Sequence, residues 1–250
     1  MPLFESESLV LRSYDLSEAD RIVVFFTRAH GIVRGVAKGA KRLKSRFGSS
    51  LEPFSTVNLQ YFQKDDRELV SIQHVELADS RFDAAADPDF LRTFAYFADL
   101  LTAMLPPHDP SETTFRMAKA CISANWHGQD ELAAVRLYFE LWLLRLGGYL
   151  PDWSNCGECG RTLPVSGDVG IWRDLHLICG ECAGSRQMAT VSAVQRDIFL
   201  SIQRLAPIAF VEGARSQTEA VRELSGFLRQ IIANVVGREL MAERSFAVNS

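Results

Sequence analysis

Nothing in the sequence approaches a membrane-spanning segment. The longest strongly apolar stretch, Leu137 to Leu150, is broken by Glu140 and Arg145, whereas a bilayer-crossing helix needs about 20 apolar residues in succession. The N-terminus, Met1-Pro2-Leu3-Phe4-Glu5, lacks the basic start and apolar core of a signal peptide, so a soluble cytoplasmic protein is expected. Catalytic patterns are missing too. The histidines (His30, His74, His108, His127, His176) form no His-x-x-x-His pair, and there is no nucleophile elbow or phosphate loop. Acidic residues are scattered. Asp65-Asp66 reads as a turn and Asp130-Glu131 as a helix start, which leaves a two-metal nuclease without its converging carboxylates. A non-enzymatic protein is expected, and no internal repeat points to a solenoid.

One further absence is local. From Arg21 to Leu51 there is no Asp or Glu, while eight basic side chains fall there: Arg21, Arg28, Arg34, Lys38, Lys41, Arg42, Lys44 and Arg46. Of the 27 basic residues 19 lie elsewhere, against all 31 acidic ones, so the rest of the chain carries a balance of about −12 where the whole carries −4. A partner responds to the local potential and not to the mean.

The pattern up to about residue 80 is β. Leu9-Val10-Leu11 reads as a short strand. Ile22 to Phe26 is a continuous β-branched and aromatic run, suited to a strand covered on both faces. His30-Gly31 punctuates before a hairpin partner, Ile32 to Ala37. Val57, Leu59 and Tyr61 alternate with polar residues. In Leu69 to Leu77 the apolar phase shifts from Val70 and Ile72 to Val75 and Leu77, as one extra residue at Gln73-His74 would cause in a β-bulge. Five short strands fit an OB-type β-barrel, and an SH3-like barrel has similar strand lengths.

The period then becomes helical. Asp87-Pro88 caps a helix carrying Phe90, Phe94, Phe97, Leu101 and Leu105 on one face, stopped by Pro106-Pro107. A second helix is predicted from Glu112 to Trp126, ended by Gly128. A third, from Glu131 to Leu146, is apolar almost all round and should be central. Ser192 with Gln195, and Ser216 with Glu219, read as capping boxes of two later helices, the last ending before Gly237. The fold class is therefore α+β and multidomain: a barrel over 1–80, then an α-helical domain over 81–150 and 190–250, with a cysteine module over 151–189 inserted in it.

That module holds Cys156-Gly-Glu-Cys159 and Cys179-Gly-Glu-Cys182, 19 residues apart. In each pair the glycine is expected to let the chain bend so that two sulfurs face one point. Two such knuckles supply four thiolates, a set suited to one tetrahedral Zn²⁺. The shell is then full, and the metal is structural. Oxidised thiols or a redox-active pair are the alternatives, but two matching pairs do not call for the single low-pKa thiolate of a redox site. Cys121, alone in an apolar stretch, reads as buried filler.

The run from Arg34 to Phe47 carries the second candidate site. Arg34, Lys38, Lys41, Arg42, Lys44 and Arg46 are expected to contact phosphates from a loop whose glycines permit mobility, with Phe47, Tyr61 and Phe62 as possible stacking partners for unpaired bases. A solvated basic loop with no partner is the competing reading.

Tyr14-Asp-Leu-Ser-Glu-Ala-Asp-Arg-Ile-Val23, His30-Gly31, Ala37-Lys-Gly-Ala-Lys-Arg42, Lys44-Ser-Arg-Phe-Gly48 and Leu51-Glu-Pro-Phe54, followed by Phe139-Glu140 and Leu146-Gly-Gly-Tyr149 ahead of the cysteines, resemble the RecO family of recombination mediators. The resemblance runs from near the N-terminus to at least Cys182. It implies an OB domain, a helical domain and a zinc module. It further implies binding of single- and double-stranded DNA, annealing of complementary strands, and cooperation with RecR in loading RecA onto DNA covered by single-strand binding protein (SSB). The cellular site it implies is the cytoplasm, at the nucleoid. The C-terminal tail of SSB is the implied ligand of the helical domain, with Arg116 and Arg136 as candidate contacts. The basic motif carries over as Lys38, Lys41, Arg42, Lys44 and Arg46, with Arg34 added from charge alone. A zinc-containing RNA-binding or translation-associated OB module is the alternative function.

Overall fold

The computed structural model describes residues 2–64, 68–82, 86–172 and 175–237; the expected turn at Asp65-Asp66 lies outside them. The chain divides into two compact units, one within Met1–Asn125 and the other within Trp126–Arg238.

The first unit opens with five strands: β1 (Leu3–Asp15), β2 (Arg21–Thr27), β3 (Gly31–Ala37), β4 (Thr56–Phe62) and β5 (Val70–Asp79). They hydrogen-bond in the order β1-β2-β3-β5-β4, and β4 pairs back onto β1, so the sheet closes on itself. All pairings are antiparallel except β3 with β5. The interior is filled by Val10, Val23, Phe25, Val33, Leu59 and Ile72, among others. The bulge expected in β5 is present: Gln60 pairs with His74 and Tyr61 with Ile72, leaving Gln73 between them without a partner. β1 is much longer than Leu9–Leu11, because its polar first half, Leu3-Phe4-Glu5-Ser6-Glu7-Ser8, pairs residue for residue with β4.

Two helices complete this unit, α1 (Pro88–Met104) and α2 (Glu112–Ser123). Asp87 caps α1 by accepting from the Asp89 amide, with Pro88 in the first turn, which satisfies one of the unpaired donors there. The face carrying Phe90, Phe94, Phe97 and Leu101 is buried as its spacing predicts, but Leu105, expected on the same face, is the extended C-cap beyond Met104 and only half-buried. β2 is covered on both sides. Phe25 points into the sheet's interior, while Phe26 meets Phe115 of α2 at 5.5 Å between ring centroids. Burying a side chain of that size stabilises by about 1.5–3 kcal/mol. Gly31, between β2 and β3, has φ +66°, and a Cβ there would lie 2.3 Å from the Asp109 carbonyl oxygen, so the position excludes any side chain.

The second unit comprises α3 (Gly128–Leu146), a small sheet of β6 (Val169–Ile171), β7 (Leu177–Ile178) and β8 (Ala189–Val191), the single turn α4 (Gly180–Ala183), then α5 (Ala193–Ile202), α6 (Pro207–Ala214) and α7 (Thr218–Val236). α3 packs against α5, α6 and α7 and is the central helix of the unit. Its Glu140 is fully buried and answered by Arg136 Nε at 3.0 Å and by the Ser225 hydroxyl of α7 at 2.6 Å. Gly128 opens α3 where the sequence suggested it would end α2. Glu131 accepts the His127 amide at 2.8 Å and so caps the new start, and α2 stops at Ser123. The capping box at Ser192 and Gln195 is formed in both directions. The one expected at Ser216 and Glu219 is not: Gln217 occupies the cap position of α7 without a side-chain bond. The intervening helix α6 takes the chain to Ala214, and the Gln217 amide closes the following turn on the Ala214 carbonyl at 2.9 Å. At its other end α7 stops on left-handed Gly237, as its position predicts. Among the described residues no helix is long and apolar enough to cross a membrane.

Candidate metal centre and basic surface

In the second unit the fold brings the two cysteine pairs to one point. The sulfurs of Cys156, Cys159, Cys179 and Cys182 all lie within 4.8 Å of one another, and Cys159 and Cys179 are 3.9 Å apart. The first pair forms a tight turn, with the Cys156 amide donating to Arg161 O at 2.8 Å and the Gly160 amide donating back to Cys156 O at 2.9 Å. β7 delivers Cys179, which stands at the head of α4, and Cys182 lies within that turn. The glycines inside the pairs do not supply the bend. Positive φ occurs instead at Gly160 and Gly184, just beyond each pair. Gly157 has a different role, since a Cβ there would meet the His176 side chain at 3.0 Å.

Four sulfurs this close cannot all ionise without compensation. Burial raises the Cys156 thiol, but the amides of Cys159, Cys179 and Glu158 point at it, outweigh that effect and hold it down at about 6. Cys182 is pushed up, chiefly because it shares its proton with the sulfurs of Cys179 and Cys159. A cation among the four would remove this competition.

Around the cluster the sequence supplies braces. Arg161 pairs with Glu181 at 2.6 Å, joining the two knuckles. Arg186 pairs with Glu158 at 3.1 Å and lies over the Trp172 ring. Trp153 stacks on Phe199 of α5 at 4.2 Å and donates to Leu175 O. Arg196, also on α5, donates to the carbonyls of Pro164 and Gly167. Cys121, in the first unit, takes no part: it is fully buried, and burial pushes its thiol up.

The basic stretch lies in the first unit. Arg34 is on the outer face of β3, and Lys38 to Arg46 follow on the connection from β3 to β4. All six candidate cations are exposed, but the fold divides them. Arg34 lies 3.7 Å from Glu68. Lys41 donates to Asp15 at 2.8 Å and to Ser17 O at 3.3 Å, and this hydrogen bond holds the Asp15 carboxyl below its usual range. Arg46 donates to Ile72 O and lies over the Phe47 ring. Lys38, Arg42 and Lys44 have no partner among the described residues. The acid-free sequence therefore does not give an acid-free surface, because Asp15 of β1 and Glu68, two residues before β5, bring carboxylates to Lys41 and Arg34.

Nor is the connection slack, despite its glycines. Gly39, at φ +73°, donates to Asp20 Oδ1 at 2.8 Å, and the Lys41 amide donates to Ala19 O at 3.0 Å. Successive turns follow, from Arg42 N to Gly39 O, Ser45 N to Arg42 O, and Ser50 N to Phe47 O. Phe47 and Leu51 are buried in the sheet's interior. Phe47 and Tyr61 are consequently core residues with no face to offer a base, and Phe62 is half-buried. Of the candidates on the helices, Arg136 is held against buried Glu140, whereas Arg116 is exposed.

A closed five-stranded sheet bearing an exposed cationic connection, joined in one chain to a helical unit with a four-cysteine cluster that could hold a metal ion, defines a class of two-unit α+β proteins. Within that class the chain belongs to the recombination protein O family: residues 1–81 match the family described as "Recombination protein O N terminal" and residues 87–244 "Recombination protein O C terminal". Similar proteins bear the name DNA repair protein RecO. That of Koribacter versatilis is 32% identical over 244 residues, covering 96% of both chains. That of Syntrophotalea carbinolica is 30% identical over 237 residues, covering 92% of this chain and 90% of its own. A third, from Rubrobacter xylanophilus, is 36% identical over 182 residues, 73% of this chain and 72% of its own. Membership places the chain in DNA repair and recombination.

Proposed function

We propose that the protein is a non-enzymatic recombination mediator. It binds single- and double-stranded DNA, anneals complementary strands and, with RecR, helps load RecA onto single strands covered by SSB, whose C-terminal tail it engages. The observation that carries this reading is the group of exposed cations without internal partners, Lys38, Arg42 and Lys44, on one connection of the closed sheet. Such cations neutralise phosphates, so two strands approach without their full mutual repulsion and base pairing supplies the driving free energy. Arg34, Lys41 and Arg46 contribute to the same field, and Lys41 and Arg46 also tie the connection to β1 and β5. The OB-type reading of the sheet over 1–80 is supported by its strand order and closure.

For the cysteine cluster we propose a structural Zn²⁺. Tetrahedral Zn–S bonds of about 2.3 Å put sulfurs about 3.8 Å apart, and the Cys159 to Cys179 separation of 3.9 Å fits that figure. The ion supplies folding free energy to the segment 151–189, and four thiolates leave it no open position for a substrate.

The test is annealing of complementary strands coated with SSB, with and without RecR. Stimulation by the protein, greater with RecR present, is expected. A folded, metal-loaded protein that leaves the annealing rate unchanged would refute the mediator reading.

A further inference from the structure

A cavity of about 380 Å³ opens in the first unit beside β1, walled by Leu11, Arg12, Ser13, Tyr14, Phe54 and Leu91 and bordered by Glu52 and Phe82. Three features distinguish it. Large apolar side chains stand half-open around one concavity: Tyr14 is 45% exposed, Phe82 72% and Leu91 39%. Their exposure is unusual where α1 and the sheet bury nearly every other ring. The hydroxyl of Ser13 is buried without a hydrogen-bond partner, a polar group that a native interior rarely leaves unsatisfied. The rim also meets the basic stretch. Tyr14 adjoins Asp15, which receives Lys41 at 2.8 Å and lies 3.7 Å from Arg21, and Arg21 in turn reaches Glu52 at 4.0 Å.

We propose that this cavity receives one unpaired base of a single DNA strand, stacked against Tyr14, while the strand's phosphates run over Lys38, Arg42 and Lys44 on the connection from β3 to β4. This rests on the DNA-binding reading given above and adds a second contact of different chemistry. A nucleobase is flat and apolar on its faces and polar at its edge, which is the combination that aromatic walls and an orphaned hydroxyl call for. The cavity lies at the small end of the range for ligand pockets, suited to one ring system and not to a folded element. Lys41 ties the connection that carries the unpartnered Lys38, Arg42 and Lys44 to Asp15, next to Tyr14, which sets cations for a phosphate backbone near the apolar walls; a peptide side chain would use the walls alone.

The probe is a fluorescently labelled oligothymidylate compared with a strand of equal length whose central nucleotides are abasic, so that the phosphates are unchanged. Binding is read by anisotropy over a range of salt. The full-length protein is expected to prefer the base-bearing strand by about tenfold, the order of one base–aromatic stack. Tyr14→Ala should abolish the preference and Tyr14→Phe should restore it, with the salt slope the same in all three. If Tyr14→Ala fails to fold, Phe82→Ala carries the same comparison. Equal binding of the two strands by the unmodified protein, or a preference that survives in folded variants at both positions, overturns the cavity assignment and leaves the cationic surface standing. Binding to neither strand overturns both readings. A variant that keeps its base preference but loses a protein partner would reassign the cavity to a peptide and likewise overturn the proposal.

Discussion

Replacing Lys38, Arg42 and Lys44 together by glutamine tests the cationic surface where the structure makes it most exposed to failure. These side chains have no partner among the described residues, so their removal orphans no carboxylate and breaks no recorded contact. Each phosphate neutralised on a single strand contributes about −0.7 to the slope of log affinity against log salt. Six contacts would give a slope of about −4, and losing three should bring it to about −2. Extrapolated from 1 M to 0.1 M salt, three lost contacts amount to about two decades in affinity, close to a hundredfold. Anisotropy titrations of an unstructured oligonucleotide at several salt concentrations measure both quantities, and circular dichroism checks the fold. Lys41→Gln alone should do less than Arg42→Gln alone, because Lys41 already pairs with Asp15. A folded triple variant with an unchanged slope would show that the strand passes elsewhere.

Removing the metal from the second unit should uncouple Trp153 from Phe199 and change its fluorescence. One zinc per chain is expected by elemental analysis of purified protein. Metal release should become easier as pH falls, because protons compete for the thiolates; zinc content independent of Cys156→Ser and Cys179→Ser would contradict the site. Glu140→Ala leaves Arg136 with a lost partner beside the unit's interior. It should destabilise the protein by about 3–5 kcal/mol, read from the urea midpoint at constant slope. Gly31→Ala forces a side chain into left-handed backbone and onto the Asp109 carbonyl. A cost of at least about 2 kcal/mol is expected, and a midpoint within error of the unmodified protein would argue against that geometry.

The residues show why parts of this fold are readable from sequence and others are not. Ile22 to Phe26, the face from Phe90 to Leu101 and the box Ser192-Gln195 are local devices whose period or spacing names the partner; each is in place, with Ile22 only half-buried and Leu105 left outside its helix. The phase shift at Gln73 is similarly local. The first half of β1 is not, since Glu5 and Ser6 look like surface until β4 lies beside them. The short helix α6 escapes notice because eight residues scarcely develop a period. At the cysteine cluster, spacing alone identifies the four sulfurs that the fold brings together. At the basic surface, spacing identifies the cations but not which of them are free, because Asp15 and Glu68 reach them only through tertiary contact.

The connection from β3 to β4 is pinned at both ends, by Gly39 on Asp20 and by Phe47 and Leu51 in the interior, while Leu43 between them is wholly exposed. Such an arch tells an engineer where the chain can be interrupted. A dye on Leu43→Cys, or a short peptide spliced beside it, should sit in solvent and report a passing strand without disturbing the sheet. The same insertion four or more residues later, between Phe47 and Leu51, would pull apart two side chains that fill the interior of the closed sheet.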